Sequence, residues 1–330
     1  MERINIYKEG FIENFPKALL DELLDSDWIN IVENPKDCDF LFVPYDYFNL
    51  KKRNRLDYLD KFVELSEKFN KKIIVIAYGD SDENISIPNA YIFRTSQYKY
   101  KKKECEIIMP PYVKDLLEGS ICLREKKNIP TVSFCGWAKF DNNKKYIKYL
   151  IKISLQYIKR IFGNKFALLH IQGVYFRRKL ISIFRKSKNV KTSFIIRETF
   201  SGNKKTIKGS PEKIRSEYIE NIKNSDFVLA PKGDGNYSLR FFEALSMGRI
   251  PIVLDTSAVL PLDDVIDYSK IAVFVDLKDA EKSSEKVLEF YNKLDEKEFK
   301  ERQLKAREVF ENYLKVDCFF RFSLKKLLNI

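Results

Sequence analysis

The chain has 330 residues, 45% of them hydrophobic, with 60 lysines and arginines against 47 acids and a formal charge of +13. That balance excludes a disordered or collagen-like chain and leaves room for two α/β domains, each burying its own core. No apolar run approaches the ~20 residues of a membrane helix. The charged opening MERINIYKEG lacks a signal-type apolar stretch, and five scattered cysteines without a C-x-x-C pair argue against a zinc or disulfide framework.

Short β-rich runs alternate with amphipathic stretches, the pattern of parallel sheets covered on both faces. In the first half, strands are expected at residues 4–7, 39–43, 72–78, 90–93 and 106–109, with helices at 16–24 and 56–69. Leu56, Leu59, Phe62, Val63 and Phe69 keep helical spacing and form a core face. The run IMPPY at 108–112 and the polar stretch 118–128 read as the crossing between domains, giving expected boundaries of 1–128 and 129–330. From Pro130 the alternation restarts. Strands are expected at 131–135, 166–171, 192–196, 226–230, 250–254 and 271–275, with helices at 143–162, 175–184, 211–224 and 239–247. Two further helices, 279–293 and 297–328, close the chain. The expected fold class is α/β, two Rossmann-like doubly wound domains facing across a cleft, with C-terminal helices. The ligand edge of each sheet is the carboxyl end of its strands.

The segment 225–276 carries the chemistry. A buried-type strand (226–230) leads into the turn PKGDGNY (231–237), and Ser238 opens a helix bearing Arg240 and Glu243. Gly233 and Gly235 let the backbone approach a phosphate, and a helix start offers unpaired N–H groups. Ser238 serves as N-cap or phosphate donor. Arg240 supplies a fixed charge shaped for a diphosphate, and Glu243 shares its face and suits ribose hydroxyls. The bland alternatives are a tight strand–helix connection and a surface ion pair between Arg240 and Glu243 worth under ~1 kcal/mol. A sharper competitor is a dinucleotide fold, since Gly233 to Ser238 approaches G-x-G-x-x-G and Asp255 follows about 20 residues on. Against it, Ser238 replaces the third glycine, the motif is not on the first strand of its domain, and the only histidine, His170, falls in an expected apolar strand.

At this segment the chain resembles the exostosin-like glycosyltransferases (GT47-type, GT-B fold). The matching blocks are SDFVLAPKG (225–233), SLRFFEAL (238–245), GRIPIVL (248–254) and LPLDDVIDY (260–268). Fainter likenesses are DCDFLFVPY (37–45), the Pro-Pro step at 108–112 and VSFCG (132–136). The resemblance implies an inverting transfer from a nucleoside-diphosphate sugar, most often a UDP-sugar, to a glycan or glycolipid acceptor of a cell-surface polysaccharide or glycoconjugate. By position, Arg240 holds the diphosphate, Ser238 and the loop of Lys232, Gly233, Gly235 and Asn236 line it, Glu243 sits at the ribose, and Gly136 faces the same crevice. Arg249 stands where the family commonly has a cysteine, a departure that touches packing.

An inverting transfer needs one carboxylate as base. Asp80 and Asp82 follow the strand 72–78 and Asp46 follows 39–43, so all three are candidates, although each also suits a loop cap. Asp80-Ser81-Asp82 is a literal D-x-D, the metal signature of a different transferase architecture. A metal is admissible but not expected, because Arg240 and a helix terminus supply the charge, and no cofactor is required. The expected compartment is the cytoplasm. The basic runs punctuate successive elements, which favours solvated surface first and peripheral contact with an anionic membrane at its inner face second, and argues against nucleic acid. The other readings of the whole chain are an NAD-type oxidoreductase and a non-catalytic glycan-binding protein.

Overall fold

The computed structural model describes residues 3–8, 23, 26–117, 121–199 and 209–329. They fall into two compact units, one of Met1–Tyr112, Ala258–Asp263 and Glu311–Ile330, the other of Val113–Ser257 and Asp264–Phe310. Both are doubly wound α/β, as expected.

The first unit holds six parallel strands: β1 (Ile4–Tyr7), β2 (Ile29–Val32), β3 (Phe40–Asp46), β4 (Lys72–Ala77), β5 (Ala90–Arg94) and β6 (Glu106–Ile108), in the order β2-β1-β3-β4-β5-β6. β3 is buried at every position, the uniform apolar run of a strand covered on both faces. The unexpected strand is β2, a four-residue edge strand whose Asn30 and Ile31 are exposed. Helices α1 (Tyr47–Lys52) and α2 (Tyr58–Phe69) follow β3, and α2 turns Leu59 and Phe62 inward. The expected helix 16–24 lies outside the described residues, apart from the buried Leu23.

Five parallel strands build the second unit: β7 (Thr131–Trp137), β8 (Lys191–Arg197), β9 (Phe227–Leu229), β10 (Ile250–Asp255) and β11 (Val273–Asp276), ordered β11-β10-β9-β7-β8. Its helices are α3 (Asn143–Ile161), α4 (Gly173–Lys186), α5 (Pro211–Lys223), α6 (Leu239–Ser246), α7 (Ser283–Asn292) and α8 (Glu296–Val309). The chain runs outward from β7 to β8, then returns to place β9 on the other side of β7. That reversal between β7 and β9 is a topological switch point, where the crevice at the strands' carboxyl ends is open to a ligand.

Three expectations are corrected. Residues 166–171 form no strand; Ala167–His170 is a 3-10 turn, so apolar residues there cover α3 and α4 without entering the sheet. The long last helix breaks at a π-helical turn, Phe310–Leu314, and at extended Lys315 before α9 (Val316–Leu328). The unit boundary falls at 112/113, not 128/129, and α9 joins the first unit.

The reasons are specific contacts. Within the second unit, Arg307 grips Asp115 with both nitrogens (2.6 and 2.8 Å), Arg124 Nε meets Asp226 Oδ1 at 2.5 Å, and Arg249 Nη2 donates to the Cys122 carbonyl at 2.9 Å. Residues 115–117 and 121–127 are thereby part of that unit and not a linker. Within the first, Phe319, Phe320 and Leu324 of α9 are fully buried against Ile4, Ile6 and Phe93, and Trp28 Nε1 donates to Asp317 Oδ1 at 2.8 Å. Arg249, where a cysteine is common in the resembling family, is a fully buried packing knot: it donates to four backbone carbonyls and to Gln303. Burial pushes its guanidinium down to about 10.

A second buried charge organises the loop after β4. Arg94 and Glu106, both with fully buried side chains, meet at 2.5 Å. Arg94 also donates to the carbonyls of Ser81 (2.8 Å), Glu83 (3.0 Å) and Ser96 (2.9 Å), while Gln97 Nε2 donates to Glu106. Removing one member leaves the other as an uncompensated buried charge. Glu106→Ala is expected to cost about 3–5 kcal/mol in urea unfolding, and Glu106→Gln less. A loss under ~1 kcal/mol would mean that water enters this network.

Candidate functional site

The switch point of the second sheet brings together most of the sequence-predicted donor residues. β7 ends at Cys135, Gly136 and Trp137, β9 runs into the 231–237 loop, and α6 begins at Leu239. Arg240 leaves the first turn of α6 and lays its guanidinium on the end of β7. Its Nε and Nη2 donate to the Cys135 carbonyl at 3.3 and 3.1 Å, and its Cζ stands 4.7 Å above the Phe134 ring. Gly136 makes this approach feasible: its φ is +150°, and a Cβ there would collide with Arg240 Nη2.

Sequence reasoning missed Arg177 on α4. It is 8% exposed, its Nη1 donates to the Trp137 carbonyl at 3.4 Å, and its buried Nε has no hydrogen-bond partner among the described residues. Burial pushes its guanidinium down to about 9, with the like charge of Arg240 adding to the shift and Asp234 opposing it. Two guanidiniums therefore rest on the Cys135–Trp137 backbone, with exposed Asp234 opposing them. A site of that charge fits an anion with several oxygens. The signal was present in the sequence, since Arg177 shares an apolar helical stripe with Leu180, Ile181 and Phe184, an unusual position for an unpaired cation. By sequence alone Arg177 opens the basic run Arg177–Lys179, which resembles solvated surface.

The remaining donor-loop residues build the loop more than they face outward. Lys232 is buried and its Nζ donates to the Leu169 carbonyl at 2.7 Å, so its position does not match an expected diphosphate contact. Asn236 is buried, exchanging hydrogen bonds with Thr256 through its Oδ1 (2.7 Å) and Nδ2 (3.2 Å). Gly233 N donates to the Tyr237 carbonyl at 2.7 Å, closing the turn that holds Gly235. Gly173, the first residue of α4, must be a glycine because a Cβ would sit 2.5 Å from the Gly233 oxygen. Ser238 holds the N-cap position in extended conformation, and its hydroxyl makes no capping bond.

Glu243 does not pair with Arg240. It is fastened to α5, with Oε1 accepting from Arg215 at 3.2 Å and Oε2 from the Tyr218 hydroxyl. Each carboxylate oxygen retains acceptor capacity beyond these bonds. Burial and the adjacent Glu243 charge hold the Tyr218 phenol far above its ordinary value, so it acts as donor to the carboxylate.

In the first unit the three candidate bases separate. Asp46 is buried and occupied: Oδ1 accepts from Asn49 N (3.0 Å) as the cap of α1, and Oδ2 accepts from Tyr78 N (2.7 Å). Burial raises its carboxyl above the usual range, with the backbone donors opposing. These bonds make Asp46 a clamp between β3 and β4. Asp82 Oδ2 meets Lys101 Nζ at 2.6 Å. Asp80 is exposed just beyond the carboxyl end of β4. Among the described residues no group of three or more His, Cys, Asp and Glu could hold a metal ion. His170 is half-buried in the 3-10 turn, not in a strand, and the glycine turn follows β9, the third strand of its sheet in chain order.

A doubly wound sheet with a glycine-lined, doubly cationic crevice at its switch point defines a module suited to phosphate-bearing ligands. Residues 156–290 match the family model described as Exostosin GT47 domain. The match takes in Arg177, the 231–237 loop, Arg240 and Glu243. The Exostosin-1 homolog of Caenorhabditis elegans is 35% identical over 101 residues, 31% of this chain and 25% of that protein. A probable beta-1,4-xylosyltransferase of Arabidopsis thaliana is 40% identical over 62 residues, 19% of this chain and 15% of its own. The matched stretches thus span a quarter or less of these curated relatives. A solved glycosyltransferase of Rickettsia africae aligns over 99% of both chains at 12% identity with a TM-score of 0.41.

Two outcomes follow for Arg177. Arg177→Met removes an under-compensated buried charge while keeping an apolar stem, so the ligand-free Tm is expected to rise by about 2–4 °C while stabilisation by pyrophosphate disappears. A lower Tm with pyrophosphate binding intact would make the residue structural. Because this folded-state value lies below that of an ordinary arginine, the charged form is penalised in the fold until pH passes about 9 and is relieved above it. Affinity for inorganic phosphate, already a dianion there, is expected to fall as pH rises through that value, and calorimetry across the range reads it.

Proposed function

We propose that this protein is an inverting glycosyltransferase that takes its sugar from a nucleoside-diphosphate donor, most often UDP, and passes it to a glycan or glycolipid acceptor of a cell-surface polysaccharide or glycoconjugate. The observation that carries the reading is the convergence of Arg240 and Arg177, whose Nε has no hydrogen-bond partner among the described residues, on the carbonyls either side of Gly136, within a stretch that matches the Exostosin GT47 domain. The diphosphate neutralises the two guanidiniums and takes up the charge that develops as the bond from the anomeric carbon to the phosphate oxygen breaks. Glu243, already aimed by Arg215 and Tyr218, accepts from the ribose. The acceptor hydroxyl attacks the anomeric carbon from the opposite face, and its proton passes to a carboxylate, for which exposed Asp80 is the best supported candidate. This charge set performs the transfer without a metal or other cofactor, and the cytoplasm is the proposed compartment.

Thermal stabilisation by nucleoside diphosphates, with and without EDTA, tests the reading. UDP is expected to raise the Tm in EDTA, and Arg240→Ala to weaken its binding about tenfold to a hundredfold, the loss of charge-assisted hydrogen bonds. Asp80→Asn is expected to leave UDP binding unchanged and to abolish transfer. A response to nicotinamide dinucleotides with none to UDP would replace this reading by the oxidoreductase. Indifference to every nucleotide would leave glycan binding without catalysis.

A further inference from the structure

The least ordinary surface in the second unit is α3. Its residues 143–162 include Lys144, Lys145, Lys148, Lys152, Lys159 and Arg160 and no acid. Its burial is inverted. Tyr149 is its single buried side chain, pinned by the Phe140 ring at 4.9 Å, with Ile153 and Gln156 half-buried beside it. At about 100° per residue, the direction opposite Tyr149 is occupied by Ile147, Ile151, Leu155, Ile158, Ile161 and Phe162. All six are exposed, Ile147 by 56%, Ile161 by 80% and Phe162 by 86%. Lys148, Lys152 and Lys159 border this stripe along one side, while Tyr146 and Tyr157 border it along the other.

An amphipathic helix of an α/β unit ordinarily turns such a stripe onto its sheet. Here the apolar stripe faces out, although the helix is far too polar to span a bilayer; among the described residues no helix is long and apolar enough to cross one. Aliphatic residues flanked by lysines and tyrosines are the composition of a helix lying in the plane of a membrane interface, with apolar side chains among acyl chains, lysine ammonium groups at the phosphates and tyrosines at the headgroup level.

We propose that α3 is a membrane-docking helix that seats the second unit on an anionic lipid surface. The charge selects this occupant. A second copy of the chain would set six cations against six, and a nucleic acid would engage the lysines while leaving the Ile and Leu stripe in water. Anionic lipid matches both features at once. The inference is independent of the transferase reading, since it concerns a face with none of the donor residues.

Co-flotation of the full chain tests it, using vesicles of phosphatidylcholine alone or with about one third phosphatidylglycerol at ~0.1 M salt. The protein is expected to float with the anionic vesicles and not with the neutral ones. The double variant Ile151→Asp/Ile158→Asp alters two solvent-facing positions, so the Tm should hold while partitioning falls about tenfold or more. Lys148→Glu/Lys152→Glu should weaken the preference for anionic vesicles, and Phe162→Trp should show blue-shifted emission when they are added. Failure to float with either vesicle, or flotation unchanged in the double aspartate variant, overturns the proposal. So does a dimer in light scattering that the aspartates dissolve, or saturable binding of RNA or an acidic protein that they abolish without any lipid binding. None of these readouts depends on nucleotide binding or transfer.

Discussion

The close approach of two guanidiniums to one stretch of backbone governs the second unit. Arg240 rests on the Cys135 carbonyl and Arg177 on that of Trp137, and Gly136 between them is the residue whose missing side chain lets Arg240 in. Like charges facing each other, one of them buried, are unfavourable alone. The fold tolerates them because the Phe134 face, two strand-end carbonyls and Asp234 each return part of the lost solvation. The uncompensated remainder is what suits the crevice to an anion with several oxygens.

The surrounding structure keeps that arrangement rigid. Lys232 and Asn236 point into the protein, where their bonds to Leu169 and Thr256 fix the glycine turn, and α4 starts with a glycine because the turn's carbonyls lie against it. These residues set the position of the loop, whose backbone is then free to face a ligand. Glu243 is likewise oriented by α5. Such prior orientation lowers the ordering cost of binding. In the first unit, Arg94 does comparable work, tying the carbonyls of the loop around Asp80 to a buried glutamate.

The outward-facing stripe of α3 obeys a different logic. A helix normally gains its stability by burying its apolar side. α3 leaves that contribution unused within the chain and keeps its contact with the rest of the unit through Tyr149 and two half-buried neighbours. Its composition makes sense when the contribution is collected elsewhere, on a surface that supplies negative charge and hydrocarbon together.

The sequence by itself determined the α/β class, ten of the eleven strand positions to within a few residues and the segment that carries the donor loop, because parallel strands buried on both faces and glycine turns before helices leave local patterns. It also marked Gly136, Ser238, Arg240 and Glu243, all of which the structure brings to or beside one sheet edge. It misread 166–171 as a strand, since a short apolar run looks alike in a sheet and in a turn packed under helices. It missed β2, a four-residue edge strand paired with β1. Only tertiary structure decided that Asp46 is a clamp, that Lys232 turns inward, that α9 belongs to the first unit and that Arg177 joins Arg240. Each of those facts is set by contacts between residues far apart in the chain, where local spacing carries no information about which side chains will meet.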